Sequence, residues 1–146
     1  MPGNPLVAQG TLNRLRASII WTDYPQLNVT AAYLGRMGIR LALDGDSTLF
    51  IPTMAGTVAS PEPYMQVTAT IHLLKTQLLA IAYKAQLEAT ALIGTGIIRG
   101  DAATLPPFTI NNCAIQSVAE LNFAGDDGDF AVRVRGYYLV NANLWD

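Results

Sequence analysis

Two stretches of clean period-two alternation flank an interval that belongs to neither, and this interval constrains the fold more than any other part of the chain. Before it, Ile39, Leu41 and Leu43 alternate with Arg40, Ala42 and Asp44. After it, Met65, Val67, Ala69, Ile71 and Leu73 alternate with Gln66, Thr68, Thr70 and His72. Such alternation is the signature of half-buried strands. The interval itself, Asp44 to Pro63, reads DGDSTLFIPTMAGTVASPEP, with hardly a charge in its second half. Connections between strands are ordinarily a few residues long, and one approaching about twenty is functional or disordered. This one is too apolar for disorder, because Leu49, Phe50, Ile51, Met54 and Val58 need a surface to cover them. An apolar arm reaching out of a β-domain predicts a partner chain.

The balance of residues agrees. The 146 residues fit one domain, 1–146, with a core of its own. Apolar residues make up 51% and charged residues only 14%, so the surface is covered by Thr, Asn, Gln and Ser rather than by Lys and Glu. A surface so poor in charge is a solubility liability for a free monomer and is reasonable if much of it is buried against copies of itself. The formal net charge of −2 gives no basic footprint for tight nucleic-acid binding. One cysteine, Cys113, excludes an internal disulfide and reads as a small core side chain. The N-terminus lacks a basic region followed by an apolar run, and the apolar stretch Leu78–Ile93 is short and carries Lys84 and Glu88, so the expected setting at synthesis is cytosolic.

Along the chain, residues 1–13 read as an irregular arm and 14–23 as a strand with Leu15, Ala17, Ile19 and Trp21 on one face. Residues 24–38 read as a loop holding a short strand or turn. Strands are expected at about 38–44 and 63–74, with weaker β-tendency at 47–53. The single helix is expected at about 76–92, with Thr76 as N-cap and Gly94 as its stop. Leu78, Ile81, Ala82, Ala85 and Ala89 form its main apolar stripe, with Leu79, Tyr83 and Leu87 beside it. A β-region follows from Phe108 to Phe123, then the turn GDDGD at 125–129 and a last strand, FAVRVRGYYLV. One helix among many alternating strands predicts a mainly β fold: an antiparallel sandwich or partly closed barrel with one packed helix.

Candidate chemistry is sparse, and no residue pattern points to an enzyme. Asp126, Asp127 and Asp129 are the densest carboxylates, and they lack the full calcium-loop pattern. Asp44 and Asp46 fit a turn. These acidic turns leave open an alternative, a small β-domain that binds calcium or a small ligand. His72 has no carboxylate or nucleophile indicated by spacing. Arg14 with Arg16 and Arg133 with Arg135 lie pairwise on strand faces, need carboxylate partners such as Asp23, Glu120 or the 126–129 cluster, and read as structural or subunit contacts, with a weak phosphate site as the alternative.

The runs GTLNRLRASI, PQLNVTAAYLG, LALDGD, PTMAGTVASPEPY, HLLKTQLLAIAYKAQ and GYYLVNANLW resemble, in texture and order from Gly10 to Trp145, the tail tube proteins of contractile-tailed bacteriophages. The resemblance implies a structural virion protein without catalysis or cofactor. It implies hexameric rings whose sheets join into a continuous barrel, stacked head-to-tail as the inner tube of the viral tail. The tube would sit inside a contractile sheath, meet baseplate or hub and tail terminator proteins, enclose tape-measure protein and double-stranded DNA without specific binding, and conduct the DNA into the host during ejection. Assembly would take place in the host cytoplasm. Related secretion or bacteriocin-like tubes, and tube-end proteins, share the resemblance. The loop that reaches the next ring corresponds to Asp44–Pro63, so ring contacts are expected from Asp44, Asp46, Phe50, Pro52, Met54, Val58, Pro61 and Pro63. Further contacts are expected from Arg14, Arg16, Arg133, Arg135 and Trp145. A DNA conduit must not hold its cargo, and each neutralised phosphate adds affinity. The neutral row Gln66, Thr68 and Thr70 is therefore expected to face the lumen, with the arginine pairs elsewhere. Family lumens tend to be acidic, and a net charge of −2 departs from that.

Overall fold

A computed structural model describes residues 17–100, 105–118, 125 and 128–144. Its strands are β1 (Ser18–Trp21), β2 (Leu34–Asp44), β3 (Thr48–Pro52), β4 (Thr57–Pro61), β5 (Tyr64–Leu74), β6 (Leu92–Arg99), β7 (Phe108–Val118) and β8 (Asp129–Leu139), with one helix, α1 (Leu78–Ala89). Six strands form an antiparallel sheet in the order β1-β6-β7-β8-β5-β2, curled into a half-barrel, and β3 pairs with β4 as a separate two-stranded ribbon. The expected mainly β architecture with one packed helix is the one observed.

The alternation read from β5 is the alternation of its burial. Val67, Ala69, Ile71 and Leu73 are completely buried, while Gln66, Thr68, Thr70 and His72 point to the other face. Ile110, Ile115, Val132, Val134 and Ile93 join them from the neighbouring strands, as do Ile19 and Trp21 of β1. The 24–38 segment contributes more than a loop. Leu27, in a single turn of 3-10 helix, and Val29, bridged to Ile19, are completely buried. Of the strand expected over 14–23, Ser18–Trp21 is observed and residues 14–16 lie outside the described residues; the β2 strand starts at Leu34, with a bulge before Ile39.

The helix departs from its expected details. Gln77, not Thr76, precedes its first turn, without a side-chain cap. Its buried face is Leu79, Ala80, Tyr83 and Gln86, whereas Leu78 and Ile81 of the expected main stripe are exposed. Both stripes are apolar, so helical period alone does not choose between them; the polar tether of Tyr83 does. The Tyr83 hydroxyl donates to the Leu27 carbonyl (2.7 Å) and accepts from the Trp21 indole N–H (2.9 Å). The helix ends where Thr90 turns extended, its carbonyl accepting from Gln86 Nε2 (2.8 Å). Gly94 is no helix stop. It lies in β6 at φ +80°, where an added Cβ would fall 2.5 Å from the Asp23 carboxylate.

Candidate assembly surfaces

The long interval between the two alternating runs is a hairpin. β3 and β4 pair from Thr48 with Pro61 through Pro52 with Thr57, and the tip closes with the Thr53 amide on the Gly56 carbonyl (2.7 Å). Valine, threonine and isoleucine favour the pleat, and the two prolines sit at the ends of the ladder, where a ribbon tolerates them. Leu49, Ile51 and Val58 are exposed, Phe50 is 64% exposed and Met54 fully so. Pro52 is exposed and Asp46 is exposed just before β3, whereas Pro61 and Pro63 at the hairpin root are half-buried. Tyr64 and Tyr137 pack their rings 5.7 Å apart, just inside β5 and β8.

A second surface is the outer face of the curled sheet. Register places Thr68 opposite Arg135, Thr70 opposite Arg133 and Asp44 opposite Gln66. Directly opposed residues of an antiparallel pair share a face. Gln66, Thr68 and Thr70 therefore stand among Arg133 and Arg135 rather than apart from them. The expected separation of a neutral row from the arginines is thus corrected, and the electrostatic ground for assigning that row to a lumen falls with it. The cause is cross-strand register, which two strands read singly do not reveal.

Arg135 also finds a partner that spacing did not indicate. Its guanidinium lies 3.3 Å from Asp44 Oδ2 and donates to Gln66 Oε1 (2.8 Å), while the Thr68 hydroxyl donates to the same Asp44 oxygen (2.7 Å). Asp44 is committed within the subunit, and the guanidinium beside it disfavours a cation at that turn. Both groups of the ion pair are more than a third exposed, so it is worth no more than about 1 kcal/mol.

A third surface is the seam of the half-barrel. Ile39, Leu41 and Leu43 of β2 face Ile98 of β6 and Phe108 of β7 across a groove of about 400 Å³. The apolar face read from β2 is there, half-buried at Ile39 and Leu41 and 45% exposed at Leu43.

The remaining candidates resolve individually. His72 does face a carboxylate, contrary to the reading by spacing: its Nδ1 lies 2.9 Å from Asp129 Oδ2, tying the end of β5 to the start of β8. Burial pushes the Cys113 thiol up to about 12, a backbone hydrogen bond from Gly96 opposing this only in part, which leaves it inert. Among the described residues no group of three or more His, Cys, Asp or Glu is placed to hold a metal ion. Arg14, Arg16, Glu120, Asp126, Asp127 and Trp145 lie outside the described residues. Asn141, which grips the hairpin root, was missed by sequence reading; its position two residues past a strand carries no signal of that role.

No protein-family model matches the chain, and no curated protein matches it.

Proposed function

We propose that this chain is a structural, self-assembling protein: a tail tube protein whose hexameric rings stack head-to-tail into the inner tube of a contractile phage tail and give DNA a passive conduit into the host. In this reading the partners are further copies of the chain, with sheath, baseplate or hub, and terminator proteins around and at the ends of the tube. The observation that carries it is the β3–β4 hairpin, an ordered ribbon that offers Phe50, Met54 and Val58 to solvent. Exposed apolar surface of this kind marks an interaction site. The half-open sheet adds one edge, β2, with no strand on its outer side among the described residues, and edges left open are an aggregation hazard that ring closure removes; the other edge, β1, is capped at Ile19 by Val29. A contact between unlike faces of identical subunits propagates, giving stacks rather than closed pairs.

Deleting Thr53–Ser60 tests the role of the hairpin. The deletion should leave the circular dichroism and melting of the domain close to wild type while abolishing stacking in sedimentation and light scattering. Stacks that form as readily without the tip would remove the hairpin as the stacking element.

A further inference from the structure

The chain beyond β8 turns back on the root of the hairpin. Past Leu139, the Val140 amide donates to the Pro63 carbonyl (3.1 Å). Asn141 then takes φ +54°, the left-handed region that asparagine enters more readily than most residues. In that conformation its side-chain Nδ2 donates to two carbonyls at once, Ser47 (3.0 Å) and Glu62 (2.8 Å). Those residues adjoin β3 and β4 on the two legs of the hairpin, and the Glu62 amide donates to the same Ser47 carbonyl (2.9 Å). The Leu144 amide closes the following turn, Ala142–Leu144, onto the Asn141 carbonyl (3.0 Å). One amide group thus spans both legs where the hairpin leaves the domain.

The ribbon needs such a brace. It forms a sheet separate from the main one, and an isolated two-stranded hairpin is marginal in water. We propose that Asn141 is a positioning residue that fixes the direction in which the hairpin leaves the domain and couples it to the C-terminal turn at Ala142–Leu144. Its relevance to assembly rests on the reading of the hairpin as the stacking element. An amide is the group the site fits: its NH2 supplies two donors and no negative charge. Aspartate has nearly the same shape and tolerates the same backbone, but sets a carboxylate against two carbonyl oxygens. Glycine keeps the positive φ and loses both bonds.

The test compares Asn141→Gly and Asn141→Asp with wild type in the whole chain, by hydrogen exchange at a concentration below any assembly. Exchange across Thr48–Pro61 should accelerate about tenfold or more in both variants, while β5 and β8 keep wild-type protection. The concentration needed for assembly should rise in parallel. A disulfide staple made by Ser47→Cys with Glu62→Cys should, when oxidised, slow hairpin exchange and restore assembly in the Asn141→Gly background. Unchanged hairpin exchange in both variants overturns the proposal, and so does acceleration spread evenly through β5 and β8, the mark of a global loss of stability. A loosened hairpin with undiminished assembly overturns the positioning role. A wild-type chain that never assembles defeats the tube reading instead, and the exchange measurement still decides the clamp.

Discussion

Tyr83 joins the helix to one distant part of the chain at two points, Trp21 and Leu27. Its ring is almost completely buried, burial holds its hydroxyl far above the ordinary phenol range, and the hydroxyl stays neutral while serving Trp21 and Leu27 at once. Tyr83→Phe keeps the ring and strands a buried indole N–H and a backbone carbonyl. It should cost about 1–3 kcal/mol of stability in urea unfolding, with little change in the slope. A loss indistinguishable from zero would mean that the helix is held by apolar packing alone. Close approach matters again within the sheet, at Gly96 beneath the Trp21 ring and at Gly136. Gly136 lies where a Cβ would meet Cys113 Sγ at 2.6 Å and the Asn111 carbonyl at 2.7 Å, so β7 and β8 meet there without room for a side chain.

At the scale of elements, the centre of the sheet and its outworks should differ in stability. β5 is paired along its length with β8 and, beyond the bulge, with β2, and its inner face is completely buried from Val67 to Leu73. β1 is a four-residue strand braced on its outer side only at Ile19 and Trp21, and among the described residues the hairpin has no third strand. Native-state hydrogen exchange should therefore be slowest at amides such as Ile71 and Val132 and fastest at the hairpin tip, Thr53–Gly56. Equal protection in the hairpin and in β5 would contradict the topology described. These elements were unequally legible in sequence. β5 was plain because one face is fully buried and the other polar, the condition under which period two is cleanest. The second strand of the hairpin was hidden, because Pro52 and Pro61 read as breakers and the tip lacks the usual two-residue turn signal. The helix was legible as a helix, but its face was not, since apolar residues run around most of it. The outer face of the sheet was misread for a different reason. Each strand showed its own alternation, but only register puts Arg135 beside Thr68 and Gln66.

As a whole, the described residues form a half-barrel with an apolar seam, an open edge at β2 and an apolar ribbon gripped at its root by the segment after β8. For a free monomer with only 14% charged residues, each of these features is a liability; under the proposed assembly, each would be a contact between copies. The candidate site was thus legible in part: the exposed apolar interval stood out, while its hairpin form, its brace at Asn141 and the mixed Arg/Thr face came only from the fold. Large, permanent interfaces are expected to be rich in apolar surface. The central claim, that the chain is built to assemble with itself, is tested most directly by negative-stain electron microscopy of the purified protein over a rising concentration series. The account predicts rings and, at higher concentration, stacked tubes of uniform diameter; particles that stay monomeric throughout the series would contradict it.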